Sequence, residues 1–84
     1  MGDEMAQRLT RLQRGRLLLA TAVKIANQND TVMVTYDQIA VTQSVSIATV
    51  RGYFGNRDNL WEMIARDDAA SEAVKETART IGIL

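Results

Sequence analysis

Arg51 lies inside the apolar-patterned stretch Ile47–Phe54, with no acidic residue three or four positions away and its nearest acid, Asp58, seven residues on. A helix of this length gains little from an unpaired Arg in its middle. At 100° per residue, Arg51 sits 100° from Val50 and 160° from Tyr53, off the face those two define. Its long side chain therefore projects from the helix. A guanidinium can grip guanine with two hydrogen bonds, a contact that discriminates between bases by about 1–3 kcal/mol. It can equally neutralise a phosphate. Gln43, eight residues earlier, has the amide that pairs with adenine.

The composition leaves little other chemistry. The 84 residues contain no Cys and no His, which removes disulfides, thiolate metal sites, the cysteine nucleophile and the usual general base. No carboxylate pair or metal-ligand cluster stands out. The chain is expected not to be an enzyme and to need no metal, cofactor or small-molecule ligand. At 46% apolar residues it is too hydrophobic for a disordered tract. Its apolar run Leu17–Val23 ends at Lys24, far short of the roughly 20 residues of a membrane span. A cytoplasmic location and no membrane partner are expected.

A net charge of zero hides an asymmetry. Residues 1–57 carry seven basic and four acidic side chains, a net +3, whereas residues 58–84 carry three basic and six acidic ones, a net −3. One pole is suited to an anionic partner.

The elements that must position Arg51 read as helices in a single all-α domain, residues 1–84. The first spans about 7–27, with Leu9, Leu12, Leu19, Val23 and Ala26 at helical steps. Gly15 weakens it, and Asn27–Asp30 ends it. Thr31–Val34 is an extended connector. The second helix, 36–42, opens with Thr35 and Gln38 at capping-box spacing. After a turn, Ser46 caps a third helix, 46–54, closed by Gly55. Asn56 caps a fourth, 57–80. Val45 plugs the turn into the core, and Trp61 reads as a core residue. Two short helices joined by three residues form a helix-turn-helix outline.

Residues 35–60 resemble the helix-turn-helix of the TetR family of bacterial repressors. The likeness is carried by Thr35, Ile39-Ala40, Ser44-Val45-Ser46, Thr49-Val50-Arg51, Tyr53-Phe54, Asn56-Arg57 and Leu60. Arg16–Ala22 is similar to the family's first helix, so the match spans roughly residues 14–64. Ser44 stands where the family has a turn glycine, and Arg51 where it has Tyr. The resemblance implies a compact three- to four-helix domain of homeodomain-like, TetR N-terminal architecture. It implies base contacts from Ser46, Thr49 and Arg51. It implies phosphate contacts from Thr35, Tyr53, Arg57 and the amides opening the second and fourth helices. Thr35 and Ser46 are helix caps with or without DNA, and Tyr53 is partly core. The further helical domain with which TetR repressors bind inducers and dimerise has no counterpart in these residues.

The expected function is a small DNA-binding repressor from a bacterium, phage or plasmid, acting on double-stranded DNA by operator occupancy. A homodimer, completed on DNA, is expected through Val74, Ala78, Ile81, Ile83 and Leu84. The reading from a different class is a protein-interaction module. It would use the acidic fourth helix and the apolar tail, with the helix-turn-helix as scaffold. The isoelectric point of about 6.2 favours this second reading.

Overall fold

Five helices, α1 Arg11–Asn29, α2 Tyr36–Gln43, α3 Ile47–Phe54, α4 Arg57–Arg66 and α5 Glu72–Thr80, make up the computed structural model. It describes residues 10–84. The fold is all-α, with no strand among the described residues. The first helix, expected over about 7–27, starts at Arg11, because Thr10 is an extended cap, and runs to Asn29; Gln7, Arg8 and Leu9 lie outside the described residues.

Each helix begins with a short polar side chain that satisfies an orphan amide. Thr10 and Thr35 form full capping boxes with Gln13 and Gln38. Ser46, Asn56 and Ser71 accept from the amides of Thr49, Asn59 and Val74. Removing one such cap costs about 1 kcal/mol. Three helices also end alike. Asp30, Ser44 and Gly82 take the left-handed conformation. The next amide then bonds a carbonyl five residues back, Thr31 to Ala26, Val45 to Ala40 and Ile83 to Ala78. The residue after the left-handed position is thereby turned onto the core, which is how Val45 and Ile83 come to pack there.

The core is one cluster to which every helix and the connector contribute. Leu18, Ala22 and Ala26 of α1 meet Ile39 and Ala40 of α2, Val50 and Phe54 of α3, Leu60 and Ile64 of α4, and Val74 and Ala78 of α5. The connector adds Val32 and Val34, both buried. Burying a Leu, Ile or Phe contributes about 1.5–3 kcal/mol relative to exposure. Trp61 is half-buried against this cluster, and its indole donates to the Val34 carbonyl at 2.9 Å.

Three expectations are corrected. The fourth helix, expected over 57–80, is two helices. Asp67 leaves the helix with an extended backbone, its carboxylate accepts from the Ala69 amide at 2.9 Å, and Ser71 starts α5. Asn27 braces this break by donating to the Ala69 carbonyl and accepting from the Ser71 amide, at 3.0 and 2.9 Å. Second, the apolar stripe of α1 includes Leu18 and omits Leu12, which is 65% exposed because it lies beyond the end of the packed core. Third, Val74 and Ala78 are completely buried. They face the core that the break in the fourth helix folds α5 onto, so neither lies on a dimer surface. Of the expected set, Ile81 and Leu84 are exposed.

Candidate nucleic-acid interface

The corner between α2 and α3 is built from three residues, Ser44, Val45 and Ser46. Ser44 makes the reversal at φ 56°, ψ 44°. Val45 anchors it to the core. Ser46 starts α3 in extended conformation. α3 buries Val50 and Phe54. At 100° per residue these two define a core direction, and Gly52 points directly away from it. Ala48 and Thr49 flank Gly52 on either side. Arg51 lies on the flank nearer Ile47. The outermost line of α3 is thus almost bare of side chain.

Each expected site residue has a definite place. Ser46 is exposed, and its hydroxyl lies 2.8 Å from that of half-buried Thr49. Both hydroxyls are at the opening of α3, tied to each other, and that of Ser46 also accepts from the Thr49 amide. Arg51 is exposed, and its guanidinium lies over the Tyr36 ring, 5.6 Å from the centroid. Arg57 is exposed over Trp61 at 5.1 Å. Tyr53 is half-buried between α3 and α1, with the Arg11 guanidinium 4.8 Å above its ring. Thr35 is exposed, with its hydroxyl held by the Gln38 amide. Gln43 is drawn inward. Its side-chain amide donates at 2.6 Å to the hydroxyl of Thr21, itself buried in α1. Two-point pairing with adenine would break that bond and strand a buried hydroxyl.

The helix openings carry opposing charges. The free amides that start α2 and α4 favour an anion, yet Asp37 and Asp58 already sit in those first turns. Their carboxylates stabilise the helices and repel a phosphate arriving at the same place.

The basic residues divide by location. The three ion pairs among the described residues are Arg66–Glu62 at 2.9 Å, Arg79–Glu76 at 3.2 Å and Arg79–Glu72 at 3.7 Å, all within α4 and α5. None involves Arg11, Arg14, Arg16, Arg51 or Arg57. Three of these five lie over aromatic rings, contacts that fix a guanidinium without neutralising it.

Three features are not evident from the sequence. Arg11 and Arg14 of α1 share a cleft with Ala48, Thr49, Gly52 and Tyr53 of α3. Arg11 spans that cleft, donating to the Gly52 carbonyl at 3.3 Å. Gly15, read as a weak point of α1, has a packing role, since a Cβ there would lie 3.2 Å from the Tyr53 ring. Tyr36 supplies the platform under Arg51 and donates to the Gly55 carbonyl at 3.1 Å. No local pattern signals these contacts, because each joins residues at least fifteen positions apart.

Comparison of the chain with protein families, with curated proteins and with solved structures gives no match.

Proposed function

We propose that the chain is a sequence-specific binder of double-stranded DNA that represses by occupying an operator, with α3 as its recognition helix. The observation that carries the reading is the division of the arginines. Arg66 of α4 and Arg79 of α5 are neutralised in ion pairs. Those around the α2–α3 corner have no acidic partner among the described residues and are held over aromatic rings or beside a cleft. The TetR-like residues of the corner support the same reading, with Ser46, Thr49 and Arg51 toward bases and Thr35, Tyr53 and Arg57 toward phosphates. One small recognition helix discriminates poorly against a genome of competing sites. Two copies on a two-fold operator are therefore part of the proposal. So is a cytoplasmic location; among the described residues no helix is long and apolar enough to cross a membrane.

The interaction-module reading is weaker, because Val74 and Ala78 are buried and its exposed large apolar side chains are reduced to Met63, Ile81 and Leu84.

The test is selection of bound sequences from random duplexes, followed by a salt titration. A selected site with two half-sites about one helical turn apart is expected. With three to five phosphates contacted per protomer, log K should fall against log salt with a slope of roughly −3 to −5 per protomer. A slope near zero, and flow-through on heparin at low salt, would reject the proposal in favour of a protein partner.

A further inference from the structure

We infer that the cleft between the start of α1 and the exposed face of α3 seats a DNA backbone phosphate, with Arg11 and Arg14 as its cationic wall and Gly52 as the gap that lets the strand approach. This rests on the DNA-binding reading and adds a contact from α1 to it.

Three observations converge on the cleft. It has a volume of about 460 Å³ and is lined by Arg11, Arg14, Ala48, Thr49, Gly52 and Tyr53. Two guanidiniums, one hydroxyl and a tyrosine therefore surround one space, a donor-rich set with no carboxylate in the lining. Arg11 is held in place by the Gly52 carbonyl at 3.3 Å and the Tyr53 ring at 4.8 Å. It does not have to be ordered when a ligand arrives, which lowers the entropic cost of binding.

Gly52 is the independent observation. A glycine inside a helix weakens it, so a glycine there needs a reason. The protein's own structure offers none: Gly52 is within α3, it does not have positive φ, and a Cβ added to it would meet nothing within 4 Å. Gly15 is the contrast, since the Tyr53 ring fills its space. The open space at Gly52 is outside the molecule, on the outermost line of α3, where Gly52 also borders the cleft. Room for the close approach of another backbone is a recognised use of glycine.

The partner chemistry follows from dimensions. A recognition helix is 10–12 Å across with its side chains, about as wide as the major groove. The groove walls are the two phosphate strands, so what stands beside the helix meets phosphate before it meets bases. α1 stands beside α3 at this cleft, which assigns its two arginines to the strand on that side.

The experiment uses the full chain with Arg14→Gln, Gly52→Ala and, as a charge-matched control on α4, Arg66→Gln. Arg14→Gln is chosen over Arg11, whose contacts also hold α1 to α3. Affinity for the selected operator and for random duplex is measured against salt, with the melting temperature of each variant. Arg14→Gln should weaken both duplexes alike, about tenfold at low salt, and reduce the salt slope by about one unit. Arg66→Gln should change neither. Gly52→Ala should raise the melting temperature by roughly 2–8 °C and yet weaken both duplexes. The pairing of higher stability with weaker binding is what a purely structural glycine does not give.

The inference is overturned if Arg14→Gln behaves like Arg66→Gln, or if Gly52→Ala binds as tightly as the parent. It is also overturned if Gly52→Ala changes the selected sequence instead of uniform affinity, because Gly52 would then face bases. If the parent chain binds neither duplex, the DNA-binding reading fails first; if the parent binds and the variants bind equally, only the cleft assignment fails.

Discussion

The guanidinium of Arg51 rests over the ring of Tyr36, 5.6 Å from its centroid, while the hydroxyl of Tyr36 donates to the carbonyl of Gly55 at 3.1 Å. Tyr36 starts α2 and Gly55 ends α3. The ring therefore spans the corner, and Arg51 is held beside α3 by a residue that the fold itself fixes. An exposed cation–π contact contributes about 0.5–1 kcal/mol. That is enough to bias the rotamer and too little to explain an Arg by stability alone.

Arg51→Ala should accordingly cost less than about 1 kcal/mol in unfolding free energy, while operator binding weakens by about 1–3 kcal/mol and preference relaxes at one base pair per half-site. Denaturant melts and repeat selection measure the two effects. If random duplex loses as much affinity as the operator, Arg51 is a phosphate contact. If neither loses any, Arg51 does not touch DNA.

Local rules made much of this fold legible. Thr35 with Gln38, Ser46, and Asn56 were readable as caps because a cap and its amide lie within three residues of each other. Ser44 and Val45 were readable as the corner for the same reason. The break between α4 and α5 was not, although Asp67, Asp68 and Ser71 are turn and cap residues. Its two braces come from Asn27, more than forty residues away. Reading one helix through the break kept Val74 and Ala78 on an outer surface, when the bend folds both inward. The cleft had the same obstacle. Nothing near Gly52 in the chain announces Arg11, forty-one residues earlier.

Ser44 is the residue through which the corner is most easily improved. It adopts φ 56°, a conformation that costs an ordinary residue roughly 1–2 kcal/mol and glycine very little. Glycine also loses more entropy on folding, which offsets part of the gain. Ser44→Gly should therefore stabilise the domain by about 0.5–1 kcal/mol, read as a higher midpoint in urea. It leaves Val45, Ser46 and the outer face of α3 untouched, so operator affinity should be unchanged. A lower midpoint would mean that the Ser44 side chain contributes something its backbone does not reveal.

Gly15 gives the opposite sign. Its missing side chain is the space in which the Tyr53 ring lies, 3.2 Å from where a Cβ would be. Gly15→Leu adds four carbons at that contact, and overpacking of this kind costs about 1–3 kcal/mol. The gain in helix propensity, about 1 kcal/mol or less, does not cover it. The expected result is net destabilisation with Tyr53 displaced, visible in near-ultraviolet circular dichroism. A variant as stable as the parent would show that Tyr53 moves freely and that α1 and α3 are not locked through it.

Asp37 separates stability from binding most cleanly. It is exposed in the first turn of α2, next to Thr35 and Tyr36 and beside the free amides of that helix. As a carboxylate near a positive helix end, it stabilises by a few tenths of a kcal/mol. In the DNA complex proposed above, the same end of α2 approaches a phosphate through Thr35. Two like charges about 6 Å apart in a water-like dielectric repel by roughly 0.7 kcal/mol. Asp37→Asn preserves shape and removes that repulsion. The variant should be slightly less stable than the parent and should bind duplex DNA about threefold more tightly at low salt. The advantage should fade as salt rises and screens the pair. Fluorescence anisotropy at two ionic strengths, with a urea melt alongside, reads all three effects. If Asp37→Asn bound DNA no more tightly at low salt, the opening of α2 would not face the phosphate backbone, and Thr35 would be a helix cap and nothing more.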